Sequence, residues 1–179
     1  MNARIDRTAA CSLLGLLILT GCRGTGPVAA THTPFTLTEV HVAWLDQAPP
    51  EVTPSGTQRI RGWRHLWYDN ADDDRLDGYN TVEANADVEP DGQRKVWGTF
   101  TVREKLDGLT ADDFAGPRFD PKDIRQGQIL WQGTWHLAGD GGTALGQNDK
   151  GMTAFYFWQK TADTNLLTGG GYILDPHQQ

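Results

Sequence analysis

Two strand-like segments of the chain carry the residues best suited to acid–base chemistry. Arg61 and His65 lie on the first, Glu83 lies on the second, and Trp63 stands between the first two. Grouped around a cavity, His65 and Glu83 could transfer protons. No spacing in the sequence requires that grouping, and the outward-facing positions of a half-exposed sheet are polar in any case. We therefore favour solvent-facing positions and predict no catalytic residue.

Seven tryptophans form the second notable group. Aromatic walls are common in pockets for apolar or sugar ligands. The competing interpretation is that the indoles fill the core of a small domain, because each buries a large area. We favour the core, although both roles can coexist at the mouth of a barrel. The candidate ligand pocket comprises Arg61, Trp63, His65, Glu83, Trp97, Trp131 and Trp135.

No motif for a metal or an organic cofactor stands out. The densest acidic stretch, residues 69–78, places Ala71 and Leu76 where an EF-hand loop needs oxygen ligands, so we interpret it as a solvated turn. The five histidines show no H-x-H or H-x-x-x-H spacing for zinc. There is no phosphate loop, dinucleotide fingerprint or G-x-S-x-G elbow. We expect neither metal nor cofactor.

Period-two alternation is the pattern that must position these side chains. It is clearest around a hairpin, where residues 76–88 and 94–106 flank a turn at Glu89–Gly92. Val82, Ala84 and Ala86 are predicted to share one face of the first strand, with Glu83 on the other. In residues 57–68 the alternation places Arg61, Trp63, His65 and Trp67 on one face, opposite Ile60, Gly62, Leu66 and Tyr68.

The chain contains seven or eight such segments, several of them long, with glycines in mid-strand. Long antiparallel strands suit a barrel better than a sandwich, and glycine permits the sharp coiling that closure needs. The predicted fold is all-β: a small closed or nearly closed antiparallel barrel spanning residues 35–176. Residues 107–127, rich in Pro, Gly and Asp, form a long excursion, with one helical turn expected near 111–114.

A short basic head and an apolar run precede Leu19-Thr20-Gly21-Cys22, which resembles a bacterial lipobox. The resemblance implies that residues 1–21 are a signal peptide and that Cys22 becomes a diacylated N-terminus. Cys11 would be lost with the signal, which leaves the domain without a thiol or a disulfide. Residues 22–34, small and polar, are predicted to be a flexible tether.

Charge and lipid together suggest a location. The formal net charge is −7, and about −8 without residues 1–21, so nucleic acid is not an expected partner. Contact with a membrane should come through the lipid at Cys22. Arg23 lacks the acidic character associated with inner-membrane retention, which implies the outer membrane where the host has one. Nothing in the sequence sets the oligomeric state.

Four further motifs occur in a fixed order: residues 59–62 (RIRG), 74–82 (DRLDGYNTV), 97–100 (WGTF) and 131–135 (WQGTW). This order is similar to that of a group of exported bacterial proteins that resemble the barrels of allene oxide cyclases and dirigent proteins. The resemblance implies a barrel fold. It transfers no catalytic residue, because the motifs consist of structural Trp, Gly and Thr.

Without a catalytic motif, the expected function is a non-enzymatic binding or envelope-associated module. One alternative is a lipocalin-like carrier of an apolar ligand, although residues 35–46 lack the G-x-W start of that family. A second alternative is an isomerase or cyclase of the allene oxide cyclase and dirigent type. A solid barrel interior would exclude both the carrier and the cyclase. If the interior is open, the binding-module hypothesis needs a ligand to fill it.

Overall fold

β-Strands account for all regular secondary structure in the computed structural model, which describes residues 30–105, 127–163 and 165–177. The strands are β1 (Thr31–Asp46), β2 (Glu51–Val52), β3 (Gln58–Ala71), β4 (Gly78–Val88), β5 (Arg94–Glu104), β6 (Ile129–Ala138), β7 (Gly141–Gln147), β8 (Thr153–Lys160) and β9 (Leu166–Asp175). Within these ranges no helix is long and apolar enough to cross a membrane. The lipobox, and the excursion up to residue 126 with its expected helical turn, lie outside the described residues.

The sheet closes on itself into an antiparallel barrel. Each strand from β3 to β8 pairs with the next in sequence, β9 pairs with β1, and β1 also pairs with β3. The short β2 pairs only with β3 and lies outside the ring. The barrel therefore has eight strands plus one extra strand, which confirms the predicted all-β, closed antiparallel fold.

The hairpin predicted around residues 89–92 joins β4 to β5. The Glu89 amide donates to the Gln93 carbonyl at 2.8 Å, and the Gly92 amide donates to the Glu89 carbonyl at 2.9 Å. Gly92 has a φ of +85°, a conformation that side chains disfavour. Tight turn chemistry fixes the register of both strands, so Val82, Ala84 and Ala86 share one face of β4 with Glu83 on the other, as alternation predicted.

The barrel begins earlier in the chain than predicted. β1 begins at Thr31, so residues 31–34, assigned to the tether, instead pair with residues 172–175 of β9. β7 contains three glycines, which conceal its alternation in the sequence. β9 begins at Leu166 and includes three consecutive glycines. A Cβ at Gly171 would overlap the Phe155 carbonyl oxygen and lie 2.8 Å from the Phe35 ring, so glycine at this position permits close approach of the neighbouring strand and of that ring.

One end of the barrel is packed solid. Leu76 and Val102 have no exposed surface, Trp131 has 1%, and the three pack together with Phe35, Ile173 and other buried residues. The Trp131 indole donates a hydrogen bond to the Arg75 carbonyl at 2.7 Å. Because Arg75 and Leu76 belong to the β3–β4 turn, this bond ties the turn across the closed end.

Candidate ligand-binding site

The opposite half of the barrel interior contains a cavity of about 390 Å³. Four indole rings form much of its wall: Trp63 and Trp67 from β3, Trp135 from β6 and Trp158 from β8. Trp135 and Trp158 meet edge to face with ring centres 6.0 Å apart. Small residues of β4, among them Ala84 and Ala86, face the rings and leave the lumen open.

A bulge in β3 decides which of its residues reach the cavity. Pairing with β4 is irregular between Ile60 and Trp63, where Gly62 adopts a φ of +66°. Its amide donates to the Asn85 side-chain oxygen at 3.1 Å. Because a bulge shifts the alternation by one residue, Ile60 lines the cavity and Arg61 does not. The predicted common face for Arg61 and Trp63 is therefore wrong.

Arg61 instead lies against the outside of the wall. Its guanidinium donates to the Ala86 carbonyl at 2.9 Å and to the Asp87 carboxylate at 2.6 Å. It also stacks over the Trp97 ring at 5.1 Å, and Lys95 approaches the same ring. Trp97 thus belongs to an exterior cation–π cluster, and neither Arg61 nor Trp97 is part of the pocket.

The remaining predicted pocket residues divide between three places. Trp63, His65 and Trp135 line the cavity, as expected. Trp131 lies on the same interior face as Trp135 but within the closed end. Glu83 is exposed on the outer face, because its neighbour Val82 is the residue that pairs with His65 and faces inward. The grouping of His65 with Glu83, considered from the sequence and not favoured, does not form, because the barrel wall separates the two side chains.

Polar side chains that sequence reasoning missed form the floor of the cavity. Glu39 of β1, Asn80 of β4 and Tyr156 of β8 line it and are at most 8% exposed. Asp69, fully buried, lies directly across the strand pair from Glu39, at a separation typical of about 5 Å between Cβ atoms. The sequence did contain one signal for Glu39. It follows Phe35 and Leu37 at intervals of two residues, so it is expected on the same face of the strand as those two apolar side chains.

Hydrogen bonds satisfy this floor only in part. The Asn80 amide donates to one oxygen of Asp69 at 3.0 Å. The other Asp69 oxygen, the Asn80 oxygen and the Tyr156 hydroxyl are buried without a partner in the described part of the chain. Unpartnered buried polar atoms are costly, so their presence beneath a cavity marks a place where a bound group could supply hydrogen bonds.

Burial sets the protonation of the floor. It raises the pKa of Glu39 from 4.5 to about 7. The pKa of Asp69 is raised well above its usual value, first by burial and then by the charge of Glu39. The floor therefore carries protonated carboxyl groups at mildly acidic pH and begins to ionise near neutrality.

His65 contributes a neutral imidazole to the wall. Burial, followed by the nearby His41, lowers its pKa from 6.5 to about 4. Its ring lies 3.8 Å from that of Trp44, centre to centre, and Trp44 is 48% exposed at the mouth of the barrel. Trp63 is anchored beside it by a hydrogen bond from its indole to the Ala48 carbonyl at 2.6 Å.

The carboxylates of the acidic stretch at residues 69–78 form hydrogen bonds and ion pairs with other residues of the protein. Asp72 accepts from the Thr36 amide and hydroxyl at 2.8 and 2.9 Å, and Asp73 pairs with Arg75 at 2.6 Å. Asp77 pairs with Lys105. Asp69 departs from the predicted solvated turn, because its side chain enters the barrel. Within the described ranges, no three His, Cys, Asp or Glu residues are grouped to hold a metal.

The site is thus a cavity with indole walls, an acidic floor and a solid barrel end beneath it. Such a chamber can enclose a small molecule whose ring packs on the indoles and whose polar group meets the floor. Comparison of the chain with protein-family models, curated proteins and solved structures found no match.

Proposed function

We propose that this barrel is a non-enzymatic binding protein that holds a small, largely apolar molecule in its interior. The observation that carries the proposal is the cavity of about 390 Å³ walled by four tryptophans. Its volume lies in the range of ligand pockets, about 300–1,000 Å³. Aromatic side chains offer a large contact area with little loss of conformational freedom.

The closed end of the barrel supports a chamber rather than a passage. Tyr156 and Phe100 belong both to the cavity lining and to the buried cluster beneath it. A ligand would therefore enter at the end where Trp44 and Trp63 lie, and would stop at the floor. This arrangement agrees with the carrier alternative named from sequence, which required an open interior.

Filling the lumen should abolish binding. We expect the purified protein to bind the neutral fluorescent probe N-phenyl-1-naphthylamine with enhanced emission. Ala84→Trp, which places an indole in the lumen, should weaken binding by about tenfold or more, because the pocket contacts that hold an apolar ligand are lost. The measurement is a fluorescence titration, with thermal unfolding to confirm that the variant folds.

Glu83→Trp is the matched control, because it adds the same indole one residue away on the outer face of β4. It should bind the probe like the wild type. No binding by the wild type, or equal loss in both variants, would contradict the proposal.

One observation favours a second candidate function, the isomerase or cyclase of the allene oxide cyclase and dirigent type. A carboxyl group with a pKa near 7 on the floor of an apolar chamber is suited to general acid catalysis. The same group also serves ligand recognition. Turnover of a bound ligand, lost in Glu39→Gln, would favour this candidate.

We further propose that the protein is exported and anchored to a membrane, the outer one where the host has two, by lipid on Cys22. The support is the lipobox-like sequence at residues 19–22. Two or more acyl chains anchor a protein stably, whereas one binds marginally.

Cys22→Ser should remove the acceptor thiol for the lipid. We expect loss of labelling by a radiolabelled fatty acid, together with either release from the membrane or accumulation of an uncleaved form. Cell fractionation and metabolic labelling measure both. Unchanged labelling in the variant would contradict the anchor, and Cys11→Ser is the control that should leave it intact.

A further inference from the structure

Among the described residues of the cavity floor, hydrogen-bond acceptors outnumber donors once the carboxyl groups of Glu39 and Asp69 ionise. Among the described residues, no hydrogen bond to Glu39 offsets its burial. One Asp69 oxygen and the Asn80 oxygen are also buried without a donor in the described part of the chain. The Tyr156 hydroxyl supplies a single proton. A ligand group rich in N–H donors would satisfy this set, and a ligand offering only acceptors would not.

Positive charge is missing from the same place. Among the described lining residues, Lys160 is the one permanent cation, and it belongs to the mouth end of β8, two alternate positions beyond Tyr156. Arg61 is bound to the exterior wall. His65 is held neutral by its burial. Nothing described on the floor can therefore balance a charge on Glu39 or Asp69.

We propose that the ligand is a primary amine on an apolar ring, with its ammonium group seated on Glu39 and Asp69 and its ring against the indole walls. This inference rests on the proposed function and narrows its ligand class. An ammonium group brings three N–H donors and one positive charge, which match the unpaired acceptors and the missing cation.

The walls favour the same ligand. Indole faces attract cations, and Trp67 and Trp135 line the chamber that ends at Glu39. An anion would meet two carboxyl groups and four electron-rich rings. A neutral alcohol would satisfy one acceptor and leave the others buried and unpaired, which costs free energy.

Three ligands of nearly equal size test the inference: tryptamine, its neutral counterpart tryptophol, and anionic indole-3-acetate. By calorimetry at pH 7.5, tryptamine should bind about tenfold more tightly than tryptophol or better, as expected for hydrogen bonds to a charged group. Indole-3-acetate should bind most weakly. Glu39→Gln keeps the size of the side chain and should reduce the preference for amine over alcohol to less than about threefold.

Glu83→Gln removes an exposed carboxylate from the outer face and should leave the preference unchanged. Equal affinity for tryptamine and tryptophol would overturn the inference, as would a preference that survives in Glu39→Gln. Binding of N-phenyl-1-naphthylamine without any tryptamine binding would overturn it too, and would leave the proposed function standing. If neither the naphthylamine nor any indole bound, the proposed function itself would fail.

Discussion

Replacing Trp131 with alanine is expected to lower the free energy of unfolding by about 3–5 kcal/mol, the range for removing a large aromatic side chain from a core. Trp131 is 1% exposed and packs in the closed end with Leu76 and Val102. The surrounding strands are tied to one another by closure of the barrel, so they can relax only partly into the space left behind.

A second loss adds to the first. The Trp131 indole is the donor to the Arg75 carbonyl at 2.7 Å, and this bond holds the β3–β4 turn over the core. Trp131→Phe would retain much of the ring and lose the bond, so we expect a cost of about 1–3 kcal/mol. Chemical denaturation monitored by circular dichroism measures both variants, because the far-ultraviolet signal follows the strands rather than the lost indole.

Trp97→Ala is the matched control. It removes the same side chain from the exterior cluster with Arg61 and Lys95, where cation–π contacts contribute about 0.5–1 kcal/mol each. The expected loss is therefore well below that of Trp131→Ala. Equal losses at the two positions would contradict the assignment of Trp131 to the core and of Trp97 to the surface.

Alternation predicted the fold because most strands obey it without interruption. Val82, Ala84 and Ala86 share one face of β4 as predicted, and that face lines the lumen. The register that the hairpin fixes carries the same phase into β5. The prediction failed where one residue disturbs the period. The bulge at Gly62 places Ile60 rather than Arg61 in the lumen. No local sequence pattern distinguishes a bulge glycine from a mid-strand glycine.

The candidate site was only half predictable for a related reason. Trp63, His65 and Trp135 could be found from residue type and phase. Glu39 and Asp69 were missed because acidic residues usually mark solvent, and Asp69 adjoins a turn that is truly polar. Glu39 and Asp69 approach each other because β1 pairs with β3 where the barrel closes. That pairing cannot be inferred from the order of the strands along the chain.

Glu39→Gln is expected to stabilise the protein by about 3 kcal/mol at pH 8 and to change its stability little at pH 4. Burial raises the pKa of Glu39 from 4.5 to about 7 in the folded protein. Between those values the folded state holds a proton that the unfolded state has released. The contribution of Glu39 to stability is therefore present below pH 4.5 and is lost as pH rises through 7.

Glutamine has the shape of the protonated acid and never ionises, so the variant avoids the cost of a buried charge at high pH. Burial, and then the charge of Glu39, raises the pKa of Asp69, so the contribution of Asp69 to stability is also lost as pH rises. Asp69→Asn should therefore also be more stable than the wild type at pH 8, and the Asn80 amide can still donate to its remaining oxygen.

The other titratable groups of the lumen act differently or at other pH values. His65 is neutral when folded and charged when unfolded between pH 4 and 6.5, so its contribution falls as pH falls. His41 shifts in the same direction, and the raised pKa of Tyr156 lies above the range tested. In the wild type the pH dependence of stability due to the histidines opposes that due to Glu39, so the profile of stability against pH is flattened. The difference in stability between variant and wild type is therefore the quantity to measure.

Urea denaturation of both proteins from pH 4 to pH 8 supplies that difference. It should grow from near zero to about 3 kcal/mol, with its steepest part between pH 4.5 and 7. Glu83→Gln should show no such rise, because Glu83 is exposed to solvent. A difference that stays constant with pH would mean that Glu39 ionises at no cost in the folded barrel. The amine inference would still have its own test in the indole series. Loss of tryptamine binding in a variant that is more stable than the wild type would separate recognition from folding.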